Sequence, residues 1–178
     1  KTKFTIQYYG VRSPLYKEHT LYHHAREPKR TYTGLMYLSN CDMSTTSLNT
    51  NTQYNFNKGS LVLLPQNSNY YSIFTNTEKA DHSFICLNML LYFFDFNNLI
   101  VENEPTLLFE KTPDIVVELF QSMLFPKKSY SFFISQLHMI WDIIFENSNA
   151  YNKIIENDAN PIFTPMDIKN KSNKEWEI

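Results

Sequence analysis

The chain has 178 residues and a formal net charge of −2, and 43% of its residues are hydrophobic and 16% aromatic. This length and apolar content indicate one folded domain, with or without an appendage, and exclude a disordered chain. The three glycines are not clustered, which excludes glycine-rich phosphate-binding loops and a G-x-S-x-G nucleophile elbow. The 16 Lys and Arg against 18 Asp and Glu argue against a chain that grips DNA by itself.

Cysteine content and hydropathy bear on the cellular location. Two cysteines, Cys41 and Cys86, cannot supply a zinc site or a disulfide framework, so we expect a reducing, cytoplasmic environment. The most apolar run, residues 83–96, is shorter than the roughly 20 residues of a membrane-spanning helix. The sequence begins at Lys1 without Met and without a signal-peptide pattern, so we expect the natural protein to be longer.

The first hundred residues are typical of a β protein. Alternating apolar and polar residues, rich in β-branched and aromatic side chains, are separated by Asn-, Pro- and Gly-containing turns. The predicted strands are residues 3–9, 31–38, 44–50, 61–64, 70–74 and 82–91. Many short strands at this spacing predict a β-sandwich or barrel.

Two helices are predicted after Pro105. Thr112 is the predicted cap of the first, Pro113 its first residue and Asp114 a favourable charge at its positive end. An apolar stripe then follows at helical spacing, formed by Val116, Leu119, Phe120 and Met123. Pro126 ends this helix.

The second helix begins near Ser129 or Ser131 and runs to about Asn147. It is apolar on more than one face. One stripe contains Phe133, Leu137, Trp141 and Ile144, and the other contains Phe132, Met139 and Ile143. The first helix can cover one stripe and the barrel another, so we expect the residual apolar surface, with Phe132, Met139 and Ile143, to pair with its counterpart in a homodimer. The alternative is a helix buried wholly within its own chain.

No catalytic or metal-binding constellation is evident, so we predict neither an enzyme nor a cofactor. The adjacent His23 and His24 would face opposite sides of a strand and cannot both bind one metal ion. His138 lies among apolar helix residues, where a hydrogen-bonded structural histidine is expected. Cys86 lies in an apolar strand, where a thiol is usually inert.

A more specific pattern lies in GSLVLLPQNSNYYSIF, residues 59–74. It resembles the second half-motif of the cupin superfamily, G-x5-P-x-G-x2-H-x3-N. Gly59 and Pro65 match, and Asn67 replaces the second glycine, a suitable change because Asn tolerates the left-handed conformation. Tyr70 replaces the metal-binding His and Phe74 the final Asn, and the first half-motif is not visible. The resemblance implies a cupin backbone without its metal.

A metal-free cupin barrel followed by two apolar helices resembles the N-terminal effector-binding domain of AraC-family transcription regulators. The segment REPKRTYTGLMYLSNC, residues 26–41, resembles the R-x-x-x-x-Y-x-L-x-Y-(x)-G segment that opens their barrel, with Asn40 and Cys41 in place of the usual glycine. Residues 57–70 resemble a turn of that barrel, with Ser60 in place of the family's Asp, and residues 84–94 resemble one of its strands. Residues 109–147 resemble the dimerisation helices.

The resemblance implies the whole architecture. The fold class is mainly β: a cupin-like double-stranded β-helix, or jelly-roll, barrel at residues 1–108, followed by an antiparallel helix pair at 109–150. Residues 151–178 would begin a linker to a C-terminal helix-turn-helix domain, which is the part that binds DNA. The protein would be a bacterial homodimer.

The family's effector-contacting positions correspond to Arg26, Ser72, Phe84 and Cys86. The two-residue period of a strand turns Tyr70 and Asn88 the same way as these neighbours. The abundant Tyr and Asn favour a polar, sugar-like effector. The alternatives are a barrel interior filled by side chains, a stand-alone metal-free cupin that binds a small polar molecule or sugar, a cupin enzyme, and an unrelated β-rich interaction domain.

Overall fold

The computed structural model describes residues 4–23, 29–93 and 103–147. These residues form nine strands and two helices. The strands are β1 (Phe4–Arg12), β2 (Thr20–His23), β3 (Thr33–Tyr37), β4 (Asp42–Ser47), β5 (Gln53–Phe56), β6 (Leu61–Leu64), β7 (Tyr70–Thr75), β8 (Ile85–Phe93) and β9 (Thr106–Phe109). The helices are α1 (Asp114–Ser122) and α2 (Tyr130–Asn147).

The strands form two antiparallel sheets. One sheet has the order β1-β8-β3-β6-β9 and the other the order β2-β7-β4-β5. The chain crosses between the sheets at most connections, and β4 and β5 form a hairpin within one sheet. The described strands are therefore paired into two separate sheets, and the predicted closure into one barrel is not seen.

The five-stranded sheet buries both of its faces. In β3, Leu35 points into a core shared with the helices, whereas Met36 points into a core shared with the other sheet. In β8, Leu87 likewise points into the core shared with the helices, and Cys86 points into the core shared with the other sheet. This alternation follows from the two-residue period of a strand. It creates one apolar layer under the helices and a second layer between the sheets.

The helices cover the outer face of the five-stranded sheet. Leu137, Ile140 and Ile144 of α2 are fully or almost fully buried, and Trp141 donates a hydrogen bond from Nε1 to Met89 Sδ of β8 at 3.3 Å. The predicted start of α2 is confirmed, because Ser129 Oγ accepts a hydrogen bond from the backbone N–H of Phe132.

The start predicted for α1 needs a correction. Pro113 occupies the N-cap position and makes no side-chain cap hydrogen bond. Thr112 is buried and its hydroxyl donates instead to the backbone oxygen of Gly59 at 2.7 Å, as its N–H does at 2.9 Å. Thr112 therefore ties the entry of the helix to the β5–β6 turn and is not a cap.

All six predicted strands are present, with differences of a few residues at their ends. Three strands, β2, β5 and β9, were not predicted. The turn chemistry predicted for the cupin-like segment is confirmed, since Gly59 and Asn67 both have positive φ, 91° and 68°. Residues 148–178, and with them the predicted linker, lie outside the described residues.

Neither α1 nor α2 combines the length and apolar character that a membrane crossing requires.

The packing of α2 predicts a strong position dependence of stability. Ile140→Ala removes a fully buried side chain and should lower the free energy of unfolding by about 2–5 kcal/mol. Ser135→Ala, on the exposed side of the same helix, should change it by less than about 0.5 kcal/mol. Urea unfolding followed by circular dichroism measures both, and equal effects would show that α2 is not docked as described.

Candidate functional site

A cavity lies between the two sheets. Side chains from both sheets and from the β1–β2 connection surround it. The space open to the centres of water-sized molecules is about 10 Å³, which is room for about one water molecule. Side chains therefore nearly fill this space, and a larger ligand has to displace them to enter.

Arg30 is the most buried charged residue at the cavity, with 7% of its surface exposed. Its Nη1 donates to the Tyr70 hydroxyl at 3.0 Å, and its Nη2 donates to Asn88 Oδ1 and lies 3.7 Å from Cys86 Sγ. The guanidinium thus joins one strand of each sheet, β7 and β8. Burial of a charge is costly, and these hydrogen bonds offset part of that cost.

The backbone of Arg30 is also fixed. Its N–H donates to the Ser68 oxygen and its own oxygen accepts from the Asn67 N–H, both at 2.8 Å. Both partners belong to the turn between β6 and β7, in which Asn67 adopts its positive φ. The cupin-like turn therefore holds the residue that carries charge into the cavity.

Gly34 makes the room that the guanidinium occupies. A Cβ atom at this position would lie about 3.0 Å from Arg30 Cζ and 3.2 Å from Cys86 Sγ. Those separations are too short for an unstrained methyl group. A glycine in the interior of β3 is thus explained by the close approach of Arg30.

The walls of the cavity combine hydroxyl groups with apolar side chains. Tyr70 and Ser72 of β7 are fully buried, and the Ser72 hydroxyl lies 2.8 Å from the Thr45 hydroxyl. The apolar walls are formed by Met36, Phe74, Phe84 and Cys86. Phe74 and Phe84 stack with ring centroids 5.1 Å apart.

Tyr16 and Arg12 form the more exposed end of the cavity. The Tyr16 ring packs against Phe74 and Phe84, with centroid distances of 5.0 and 5.5 Å. Its hydroxyl accepts a hydrogen bond from Arg12 Nη2 at 3.2 Å. The backbone N–H of Tyr16 donates to Ser83 Oγ at 2.8 Å. This bond holds the β1–β2 connection over the Phe74 and Phe84 rings at this end of the cavity.

Two positive charges act on the Cys86 thiol. Burial raises the pKa of Cys86, and the nearby Arg30 and Arg12 guanidinium groups oppose that rise without cancelling it. The thiol is therefore protonated at neutral pH, and it points toward Asn88 Oδ1 at 3.8 Å. Burial raises the pKa of Cys41 as well, to about 12.

The structure brings together most of the residues predicted to bind a ligand. Tyr70, Ser72, Phe84 and Cys86 line the cavity, and Asn88 is bonded to Arg30 beside it. Arg26 lies outside the described residues. That these side chains bind an effector stays a prediction.

Sequence reasoning missed Arg30 and Arg12. One signal for Arg30 was present, because the glycine inside the predicted strand 31–38 indicates close approach by another group. The position of Arg12 at the cavity results from the pairing of β1 with β8, which places Arg12 opposite Cys86. No pattern within β1 indicates that register.

The residues predicted for dimerisation have different environments. Met139 is exposed, with 47% of its surface accessible. Phe132 is half-buried, contacts Phe133 edge-on and has Lys128 Nζ 5.3 Å from its ring centre. Ile143 is half-buried and packs against the core under the helices, so it belongs in part to the chain's own interior.

Within the described parts of the chain, no group of three or more His, Cys, Asp or Glu side chains is arranged to hold a metal ion. The hydroxyl of Tyr70, at the position of the cupin metal ligand, accepts the hydrogen bond from Arg30. The predicted absence of a resident metal stays a prediction that elemental analysis can test.

Comparison with known proteins gives a weak match. No protein-family model matches the sequence, and no curated protein does. Among solved structures, apo ToxT K231A from Vibrio cholerae strain SCE256 is 17% identical, with a TM-score of 0.44 over 92% of this chain and 59% of that one. ToxT from Vibrio cholerae O395 bound to (E)-4-(8-methylnaphthalen-1-yl)but-3-enoic acid is 14% identical, with a TM-score of 0.47 over 98% and 75%.

This chain thus spans less than two thirds of the first ToxT chain.

The fit between Gly34 and Arg30 predicts an energetic coupling. Gly34→Ala should destabilise the protein by about 1–3 kcal/mol, because the added methyl group displaces the guanidinium. In an Arg30→Ala background the same change should cost at least 0.5 kcal/mol less, by analogy with couplings of about 0.5–3 kcal/mol between residues in contact. A double-mutant cycle from urea unfolding measures the coupling, and additive effects would contradict the described contact.

Proposed function

We propose that this chain is the ligand-sensing and dimerisation domain of an AraC-like transcription regulator. It binds a small molecule between its sheets and catalyses no reaction. The observation that carries the proposal is the cavity between the sheets, which is lined by the buried Arg30, Tyr70 and Ser72. Its lining of apolar walls with a few convergent polar groups is the composition of a small-molecule site, and side chains have to move to admit a ligand.

The order of the strands supports a cupin-like jelly roll. Strands β1, β8, β3 and β6 are neighbours in one sheet, and β2, β7, β4 and β5 are neighbours in the other. Eight strands folded as two Greek keys into a two-sheet jelly roll have this interleaved order. The positive φ values of Gly59 and Asn67 support the same relationship at the turn that resembles the cupin half-motif.

Binding is favoured over catalysis by the chemistry of the lining groups. Catalysis needs a nucleophile or a general base within reach of the substrate. The thiol of Cys86 has a raised pKa, and the Ser72 hydroxyl is paired with the Thr45 hydroxyl. Among the described lining residues there is no His, Asp or Glu to act as a base.

The regulatory part of the proposal concerns α2 and the part of the whole protein that binds DNA. The exposed Met139 and the half-buried Phe132 would pair with a second copy around a two-fold axis. Each chain would present a C-terminal helix-turn-helix domain, and the dimer would reach two half-sites on DNA. Ligand in the cavity would shift the populations of two arrangements of these domains.

Ligand binding is testable by thermal unfolding of this chain against a library of small metabolites. A ligand at about 100 times its Kd stabilises the folded state by about 2.7 kcal/mol, which for this size raises Tm by about 5–10 °C. The variant Cys86→Met fills the cavity and should abolish the shift, whereas Ser135→Ala on the exposed side of α2 should retain it.

A shift that survives Cys86→Met unchanged would place the ligand elsewhere. The absence of any shift across the library would contradict a ligand-sensing function.

Self-association is testable by light scattering at tens of micromolar protein. The parent should have twice the mass of one chain, and Met139→Glu should yield folded monomer because it places a charge in the interface. Gln121→Glu adds a charge on the exposed face of α1 and should remain dimeric. A parent protein that is already monomeric would refute dimerisation through α2.

A further inference from the structure

We propose that the connection between β1 and β2, residues 13–19, is a gate that lifts to admit molecules to the space between the sheets, while the sheets stay folded. This connection is called the strap below. The inference deepens the proposed ligand-sensing function by naming how access to its site is controlled, and it rests on that function for the existence of a ligand.

The strap crosses from one sheet to the other at the cavity. It begins after Arg12, which pairs with Cys86 of β8, and it ends before Thr20, which pairs with Phe74 of β7. Cys86 and Phe74 line the cavity from the two sheets, and Tyr16 lines it from the strap. The strap therefore passes over the cavity and places the Tyr16 ring against it.

The strap is fastened to one neighbouring segment, the β7–β8 connection at residues 76–84. The backbone oxygen of Pro14 accepts a hydrogen bond from the Ser83 N–H, and the Tyr16 N–H donates to Ser83 Oγ, both at 2.8 Å. Ser83 is fully buried, and its backbone oxygen accepts from the Asn40 N–H at 2.9 Å. Ser83 is thus a fixed point of the fold to which the strap is attached by two hydrogen bonds.

Glu18 forms the second attachment. Its carboxylate accepts hydrogen bonds from the backbone N–H groups of Asn76 and Thr77, both at 2.9 Å, and from the Thr77 hydroxyl at 3.0 Å. The N–H groups of Thr77 and Asn76 lower the pKa of Glu18, so the carboxylate accepts these bonds as an anion at neutral pH. Because these groups are exposed, water can replace the hydrogen bonds when the strap lifts.

Little apolar burial holds the strap in place. Five of its seven residues are exposed, among them Leu15 at 57%, and the other two, Pro14 and Tyr16, are half-buried. Its contact with the cavity wall is the Tyr16 ring, which packs against Phe74 and Phe84. Segments with few buried apolar contacts open at a lower free energy than the whole fold, so the strap can lift by itself.

Lifting the strap takes the Tyr16 ring away from the aromatic wall and opens a path to Cys86. Only 3% of the surface of Cys86 is exposed in the structure, and its thiol lines the cavity. The pairing of β1 with β8 and of β2 with β7 lies outside the strap and is kept. The movement thus supplies room that a ligand larger than a water molecule needs.

The rate at which dithiodipyridine modifies Cys86 in the native chain tests the inference without a ligand. Cys41→Ser serves as the background, because it leaves Cys86 as the one thiol and keeps a donor toward the Ser83 oxygen. In that background Glu18→Ala should raise the rate about ten-fold, because it removes hydrogen bonds to a charged group. Glu18→Gln should raise it less, since the amide oxygen still accepts, and Ser83→Ala should raise it by removing the bond from Tyr16.

Two controls separate lifting of the strap from other effects. Glu78→Gln makes the same change of charge on the β7–β8 connection, where Glu78 pairs with Lys58, and should leave the rate unchanged. Ile140→Ala removes a fully buried side chain of α2 and lowers the stability of the whole fold. It should leave the labelling rate close to that of the parent, and circular dichroism verifies that each variant is folded.

Faster labelling in Glu18→Ala and Ser83→Ala, with rates near the parent's in both controls, would support the gate. Labelling that is fastest in Ile140→Ala would show that Cys86 is reached by global unfolding and would overturn the inference, as would equal rates in Glu18→Ala and the parent. The screen for metabolites that raise Tm decides ligand sensing separately, so the gate and the proposed function can fail independently.

Discussion

The placement of the Arg30 guanidinium between the two sheets is the constraint on which the site depends. Its charge is tolerated there because Tyr70 and Asn88 accept its hydrogen bonds from opposite sheets. Its backbone is held by the Asn67 turn, and its room is made by a glycine in β3. The Arg30 side chain thus explains the left-handed turn at Asn67, the glycine in β3 and the two polar strand residues, Tyr70 and Asn88.

The strand alternation that builds the core also builds the cavity. Residues 84, 86 and 88 face the space between the sheets, and the intervening Ile85, Leu87 and Met89 face the helices. Helical residues then complete one apolar layer, while Cys86 and Asn88 leave the other layer partly polar. The helices let the five-stranded sheet bury both faces, so a polar side chain on its inner face needs a hydrogen-bond partner, as Asn88 has in Arg30.

Most of the fold was predictable because its long strands have a regular period and its helices have clear starts and stops. The short strands β2, β5 and β9 carry too few residues to show a period, and β5 runs directly into the turn-forming Asn57-Lys58-Gly59. Thr112 was misread as a cap because its real partner, Gly59, is distant in sequence. Of the site, the family resemblance indicated Ser72, Phe84 and Cys86, and the strand period added Tyr70 and Asn88. Arg12 required the register of two strands, and Arg30 required the turn that holds it.

Strand β8 is the element through which the cavity and the helices are in contact. Its inward residues Cys86 and Asn88 lie against Arg30, and its outward residue Met89 accepts the hydrogen bond from Trp141 of α2. Well-packed interiors have low compressibility and transmit displacement. Under the proposed function, a ligand that moves Arg30 or Cys86 would act on the same strand that supports α2. One strand with two buried faces would thus be the mechanical link of the proposed sensor.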